Sequence, residues 1–201
     1  MRPAGNVPRL SMPTRKVGLI AVFTAVSLAT NYAIIGIPNV KLMDAIVFIG
    51  AFLFGLEVGL GSAVCIWTVY GFINPWGQDS LPLLSFLIIG ECFYALAGAL
   101  LSRTTLTGRL FADRTGRSRL KTSIIFGLVG FQATFAYDVL TNFGSWVFQS
   151  SSMYQALVIG MITGAPFAVV HEISNLIFFA TVVPLAIIVT RKTGLASRLT
   201  I

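Results

Sequence analysis

Charge is scarce in this chain. Of its 201 residues, 10% are charged and 56% are hydrophobic, whereas about a quarter of the residues in a typical soluble domain carry a charge. Cysteine occurs only twice. Both cysteines, Cys65 and Cys92, lie inside apolar runs, where we interpret them as small buried hydrophobic residues. The composition therefore argues against a soluble domain and against a disulfide framework.

Two motifs of common enzymes are missing. Residues 171–175 read HEISN, which is similar to the zinc-binding helix H-E-x-x-H, but Asn175 replaces the second histidine and His171 is the only histidine in the chain. No G-x-x-x-x-G-K-[ST] loop occurs, so the P-loop mechanism of ATP binding is excluded. If the protein moves a solute uphill, another subunit must supply the energy. We expect no enzymatic activity, no bound metal and no cofactor.

Long apolar runs are what the chain does contain. Each is near the ~20 residues that a helix needs to cross a ~30 Å hydrocarbon core. They predict an all-α integral membrane protein with a single membrane domain of six transmembrane helices. The predicted helices span 17–37, 43–56, 58–73, 83–102, 122–148 and 165–190. Because Pro166 suits the first turn of the last helix, residues 153–162, which read MYQALVIGMI, are predicted to form a short amphipathic or re-entrant piece on one membrane face.

Basic residues predict the orientation, because Lys and Arg in short loops are retained on the cytoplasmic side of a membrane. Six crossings place all fourteen basic residues except Lys41 on one side. Both termini are therefore expected in the cytoplasm, and the net charge of +7 is a topology signal rather than a sign of nucleic-acid binding. The basic loop 103–121 could contact anionic lipid headgroups of the bilayer or a partner protein, or simply be solvated. No cleavable signal peptide is expected, because the first apolar run is long for one and no A-x-A site follows it.

Acidic residues inside the predicted helices are the main functional signal. Glu91, Asp138 and Glu172 belong to three different helices, and the helical rise places them ~9–15 Å below the outer helix ends. Ionisable groups within a membrane are costly and usually face a cavity or a partner. We therefore predict a pocket that opens outward. Asp44 lies higher, at the start of the second helix, where a favourable interaction with the helix dipole explains it equally well.

Polar neighbours extend this candidate site, since residues three and four apart share a helix face. Asn142 follows Asp138 by one turn, and Asn175 follows His171 by one turn. We predict that these side chains bind substrate together with the acids. Stripes of this kind could instead hold helices together through hydrogen bonds.

Two further residues on the outer side are candidate ligand contacts. Trp146 could stack on a planar ligand or belong to an interfacial aromatic belt. Lys41 is the one basic residue on the outer side and a candidate lid contact in the connection 36–41. The turn-rich segment 72–82 could cover the pocket with it.

Small residues form a ladder on the first predicted helix. Ala21, Ala25, Ala29 and Ala33 are spaced four apart, so one helix face carries only methyl groups and another helix can approach it closely. Packing inside the protein would also explain the ladder. We predict a partner-docking face.

With these features the chain resembles the substrate-binding S component of energy-coupling factor transporters. The resemblance covers roughly residues 15–190 and includes the alanine face, IPNVKLMDAIVFIGAFLFG at 37–55, NPWG at 74–77 and GECFYALAG at 90–98. It implies capture of a vitamin-like micronutrient from outside. It also implies that the protein docks through the alanine face on a membrane coupling protein, which two ABC-type ATPases drive. The bound ligand would then be released into the cell. The connection 36–41 would by position be the lid.

The acids favour a ligand that is cationic or rich in hydrogen-bond donors, because unpaired buried carboxylates are costly. Two rival functions remain. A stand-alone proton-coupled carrier would also use intramembrane Glu, Asp and His, although carriers usually show internal repeats and a site near the midplane. A membrane scaffold would need no pocket.

Overall fold

Helices are the only regular secondary structure in the residues that the computed structural model describes, which are 12–73, 77–112 and 116–194. These ranges contain seven helices: α1 (Met12–Ala33), α2 (Met43–Phe54), α3 (Leu56–Tyr70), α4 (Leu81–Ser102), α5 (Thr105–Ala112), α6 (Gly116–Trp146) and α7 (Met153–Lys192). Four of them, α1, α4, α6 and α7, are long and apolar enough to cross a membrane. The prediction of an all-α membrane protein is confirmed. Helices suit hydrocarbon because all their backbone hydrogen bonds are internal.

Local signals explain several helix ends. Gly55 separates α2 from α3 with φ of +99°, a backbone conformation that glycine adopts at no steric cost. It forms the tight turn between α2 and α3. The Ser80 hydroxyl accepts a hydrogen bond from the Leu83 amide at the start of α4, and Pro82 follows in the first turn.

The last helix differs from the prediction. α7 runs unbroken over 40 residues, with Pro166 in its interior instead of at its start. Residues 153–164 are helical because they pack tightly on α6: a Cβ atom at Gly160 would lie 2.3 Å from the main-chain oxygen of Asn142. Proline within a membrane helix is tolerated where neighbours satisfy the freed backbone groups. The separate re-entrant piece is therefore wrong.

The basic segment 103–121 also differs from the predicted loop. It contains α5 and the first residues of α6, which begins at Gly116. Phe111 of α5 packs against Phe52 and Phe126, with ring centroids 6.5 and 5.9 Å apart. This aromatic contact attaches the segment to the bundle.

α2 is the central helix, and its residues from Met43 to Phe52 are all buried. The Phe48 ring lies at its centre, with the rings of Phe126 and Phe179 at 5.8 and 5.0 Å. α4 approaches so closely that a Cβ atom at Gly98 would lie 2.4 Å from the Phe48 main-chain oxygen. α1 lies at the periphery, against α2 and α3.

The bundle has two distinct ends. We call the end with the α1–α2, α3–α4 and α6–α7 connections the loop end, and the opposite one the basic end. At the basic end, Lys16 pairs with Glu57 at 2.6 Å, and the Arg191 guanidinium lies 4.9 Å from the Phe111 ring centroid. Within the described ranges, Lys41 is the one basic residue at the loop end.

Candidate functional site

Three buried polar side chains from three helices meet beneath the loop end. The His171 ring of α7 lies between Asp44 of α2 and Asp138 of α6. Its Nε2 atom is 2.7 Å from Asp44 Oδ2, and its Nδ1 atom is 2.9 Å from Asp138 Oδ1. The three residues are between 0% and 5% exposed. Each contact needs one proton, so two protons are shared among the three groups, which together carry one net negative charge whichever atoms hold them.

Asn175 extends this network by one helical turn. Its Nδ2 atom lies 2.7 Å from Asp44 Oδ2 and 2.9 Å from Thr134 Oγ1. The Tyr94 hydroxyl donates to the same Thr134 oxygen at 3.1 Å. The predicted partnership of His171 and Asn175 on one helix face is therefore present in the structure.

Glu91 joins the network from α4. Its Oε2 atom accepts a hydrogen bond from Trp67 Nε1 at 3.0 Å, and its carboxyl group faces that of Asp44. Glu91 and Asp44 are both fully buried. Asp44 thus occupies the centre of the network and not the outer margin at which the sequence placed it.

Glu172 does not reach this network, contrary to the prediction that it would meet Glu91 and Asp138. It is one residue beyond His171, which turns its side chain by about 100° around the helix. It is only partly buried and makes no hydrogen bond with the described residues. The helix face defined by His171 and Asn175 points inward, so Glu172 lies beside it.

A cavity of about 470 Å³ lies next to the network at the loop end. Asp138 belongs to both, because it contacts His171 and also lines the cavity. α1, α3, α4, α6 and α7 contribute to the wall, as does the connection between α1 and α2. Residues 37–41 of this connection line the cavity, which agrees with the predicted covering segment. Residues 74–76, the first three of NPWG, lie outside the described residues.

Four polar atoms on the cavity residues have no hydrogen-bond partner among the described residues. They are Asn31 Oδ1, Tyr137 OH, Asp138 Oδ2 and Asn142 Nδ2. Leaving a buried polar group unpaired costs about 1–3 kcal/mol, and such groups are uncommon in native proteins. Each of these atoms is itself buried, so a molecule in the cavity reaches them only after small rotations of the wall side chains.

Lys41 lies over two aromatic rings in the cavity wall. Its Nζ atom is 4.9 Å from the ring centroid of Trp67 and 5.8 Å from that of Tyr137. The two rings are stacked, with centroids 6.4 Å apart and an interplanar angle of 26°. Lys41 is therefore part of the cavity wall as well as of the predicted lid.

Asp79 adds a second carboxyl group to the cavity. Partial burial raises the pKa of this carboxyl above its ordinary value, while the positive charge of Lys41 acts in the opposite direction. Asp79 therefore loses its charge at a higher pH than an exposed aspartate does.

Trp146 is not among the cavity residues. Its Nε1 atom donates to Oγ1 of the exposed Thr163 on α7 at 3.2 Å. The predicted ligand contact at Trp146 is not supported. Asn31 and Tyr137 were missed, although an isolated asparagine in the apolar α1 was a visible signal.

The alanine ladder lies on the outer surface of α1. Ala21, Ala25, Ala29 and Ala33 are all exposed, whereas Ser27 and Asn31 on the opposite face are buried. Packing within the described part of the chain therefore does not account for the ladder.

No protein-family model, no curated protein and no solved structure matches this chain. Its function is inferred below from the geometry of the site.

Proposed function

We propose that the protein captures a small organic molecule, cationic or rich in hydrogen-bond donors, in the cavity at the loop end. It would import this molecule as the substrate-binding S component of an ATP-driven, energy-coupling-factor type of transporter. The observation that carries the proposal is the cavity, whose wall residues carry four buried polar atoms without a hydrogen-bond partner in the described part of the chain, adjacent to a buried acidic network. A scaffold would have no use for such a pocket.

The cavity has the size and character of a small-molecule site. Its volume of about 470 Å³ falls within the roughly 300–1,000 Å³ typical of ligand pockets, which combine aromatic walls with a few placed polar groups. Trp67, Tyr70 and Tyr137 supply the aromatic surface. These features suit a molecule of vitamin size.

The carboxyl groups favour a positively charged ligand over an anion. Asp79 and Asp138 line the cavity, and Asp44 and Glu91 are buried behind it. The Asp44–His171–Asp138 group carries one net negative charge, Asp79 adds a second when it is ionised, and Lys41 supplies one positive charge. A ligand anion would meet net negative charge at close range, which is costly in a site of low dielectric constant.

In this proposal the chain crosses the cell membrane six times, with both termini in the cytoplasm. The cavity then faces outward, because the basic residues of the described chain cluster at the other end of the bundle and such residues are retained inside. α2 and α3, with 12 and 15 residues, would make two of the crossings as short helices.

The exposed alanine ladder would dock on a membrane coupling protein that two ABC-type ATPases drive. Small residues on a lipid-facing helix surface permit close helix–helix approach, and Ala21, Ala25 and Ala29 are free of contacts within the described chain that would cover them. Co-purification of an ATPase module, abolished by Ala25→Leu, would support this part of the proposal.

Ligand binding is testable with purified protein in lipid nanodiscs. Mass spectrometry should identify a small molecule that travels with the protein, and a thermal-shift panel of vitamins should identify the class. Asp138→Asn should weaken binding of that molecule while helicity by circular dichroism is kept. Glu57→Gln, which removes an exposed acid at the basic end, is the matched control and should bind like the wild type. Absence of any co-purified or panel ligand, or equal affinity of D138N and E57Q, would contradict the proposal.

A stand-alone proton-coupled carrier is the second candidate function. One observation favours it: the Asp44–His171–Asp138 group shares two protons and reaches the cavity through Asp138. Uptake into proteoliposomes that requires a proton gradient, and no ATPase, would select this function.

A further inference from the structure

Lys41 is an ammonium group that has no ion-pair partner among the described residues. Ion pairs among the described residues join Lys16 to Glu57 and His171 to the two aspartates, so no carboxylate oxygen of these residues lies within 4.0 Å of Lys41 Nζ. Lys41 also donates no hydrogen bond to any of the described residues. The faces of Trp67 and Tyr137 hold it, and the carboxyl groups of Asp44, Asp79 and Glu91 lie farther away.

Acceptors on the same cavity lack donors. Asp138 Oδ2 and Asn31 Oδ1 have no hydrogen-bond partner among the described residues, and both side chains are more than nine-tenths buried. Among the described residues, the Lys41 ammonium therefore donates no hydrogen bond, and the two acceptor oxygens Asp138 Oδ2 and Asn31 Oδ1 receive none. Lys41, which enters from the α1–α2 connection, does not bring its ammonium to them.

We infer that the ring faces of Trp67 and Tyr137, which we call the aromatic subsite, bind the positively charged nitrogen of the ligand, and that Lys41 occupies this subsite until the ligand displaces it. The inference rests on the proposed function and narrows its ligand class. The ligand cation carries at least one N–H group, because Asp138 Oδ2 and Asn31 Oδ1 require donors that a quaternary ammonium lacks.

Displacement is favourable because the exchanged groups are not equivalent. Both cations gain from the negative ring faces. A ligand N–H group also satisfies buried acceptors that Lys41 leaves unpaired, once the Asp138 and Asn31 side chains rotate toward the cavity. Lys41 has a flexible four-carbon stem and a strongly hydrated ammonium, and it follows the exposed residues Gly36, Ile37 and Pro38. It can therefore move to water without disturbing the core.

Asn142 defines a further feature of the ligand. Its Nδ2 atom, on the cavity residue one turn beyond Asp138, is a donor that has no partner within the ranges that the structure describes. A hydrogen-bond acceptor on the ligand would meet it. The combined pattern fits a protonated or cationic nitrogen heterocycle, or an amidine, that carries both N–H donors and an acceptor.

Three aromatic probes separate charge from shape. Benzamidinium is a cation with N–H groups, benzamide is its neutral isostere, and benzyltrimethylammonium is a cation without N–H. Binding to full-length protein in nanodiscs is measured by calorimetric titration for the wild type, Lys41→Met and Lys41→Arg. Methionine keeps an unbranched side chain and removes the charge, whereas arginine keeps the charge.

Lys41→Met should bind benzamidinium about tenfold more tightly than the wild type. In the wild type the Lys41 ammonium occupies the aromatic subsite, and the apparent affinity for a ligand is reduced to the fraction of molecules whose subsite is free. Lys41→Arg should stay within about threefold of the wild type, and benzamide should gain nothing from either change. Benzyltrimethylammonium should bind K41M more weakly than benzamidinium does. If K41M fails to fold, Lys41→Gln replaces it.

Weaker or equal binding of benzamidinium to the uncharged variant would overturn the inference, as would benzamide binding as tightly as benzamidinium. Equal affinity of the two cations for K41M would overturn the N–H requirement. Failure of all probes with a co-purified molecule still present in the cavity would reject the aromatic subsite and leave the proposed function standing. Failure of the proposed function is recognised separately, by the absence of any such molecule.

Discussion

Asn175 offers the sharpest test of the buried network. Its amide nitrogen lies within hydrogen-bonding distance of Asp44, Thr134 and Tyr94. The amide nitrogen carries two N–H donors. We assign them to the two shorter contacts, to Asp44 at 2.7 Å and to Thr134 at 2.9 Å. Asn175→Leu removes both donors at similar volume, and Asn175→Asp replaces them with a carboxyl group.

The structure sets the expected magnitudes. After Asn175→Leu, Thr134 keeps its bond from Tyr94, but Asp44 Oδ2 keeps only His171. A hydrogen bond to a charged group contributes about 1.5–3 kcal/mol, whereas interhelical hydrogen bonds in membrane proteins average about 0.6 kcal/mol. Because Asp44 is fully buried, we expect Asn175→Leu to lower the free energy of unfolding by about 2 kcal/mol, within the range for hydrogen bonds to charged groups. Asn175→Asp adds a carboxyl next to Asp44 and should cost about 3–5 kcal/mol, as an uncompensated buried charge does.

Melting temperatures in nanodiscs provide the readout. A loss of about 2 kcal/mol corresponds to roughly 4–8 °C for a chain of this length. Thr181→Val is the control on the same helix, because its hydroxyl is exposed and bonds to its own helix at Ile177. It should stay within about 0.5 kcal/mol of the wild type. The reasoning fails if N175L melts like T181V, or if N175D is as stable as N175L.

Three further outcomes follow from the structure. Trp67→Phe should lower the unfolding free energy by about 1–3 kcal/mol, because the Glu91 carboxyl loses the indole N–H at 3.0 Å; an unchanged melting temperature would contradict this. Gly160→Ala should lower the free energy of unfolding by about 1–3 kcal/mol, because the new Cβ would meet a main-chain oxygen of α6 at 2.3 Å. In the same melting experiment the control Gly18→Ala, whose Cβ would have nothing within 4 Å, should be neutral or stabilising by up to about 1 kcal/mol. Benzamidinium affinity should fall as the pH drops through the raised pKa of Asp79, since the neutral carboxyl no longer attracts a cation. In a series of affinities measured against pH, Asp79→Asn should abolish this decrease and leave any decrease at lower pH in place.

Much of the network was predictable from spacing. His171 and Asn175 are four residues apart, so a helix places them on one face, and both point inward. Asp138 and Glu91 were identified because carboxyl groups in apolar helices are costly and call for partners. Lys41 stood out as the one basic residue predicted to lie on the outer side.

Other residues could not be assigned from spacing. Glu172 and His171 are adjacent in sequence, and nothing local tells which of them faces the bundle. Asp44 lies at a helix start, where exposure and burial are equally consistent with the pattern. Pro166 resembles a helix start, but Gly160 packs on α6 and continues the helix across it.

Composition and helical periodicity by themselves determined that the protein is an all-α membrane protein, because hydrocarbon requires every backbone polar group to be satisfied within its own segment. They also determined which polar residues share a face. Only the tertiary structure decided how each helix is rotated about its axis, and therefore that Asp44, and not Glu172, completes the network around His171. Rotation depends on close contacts between distant residues, such as Gly98 against the Phe48 backbone, and those contacts exist only after the helices have packed.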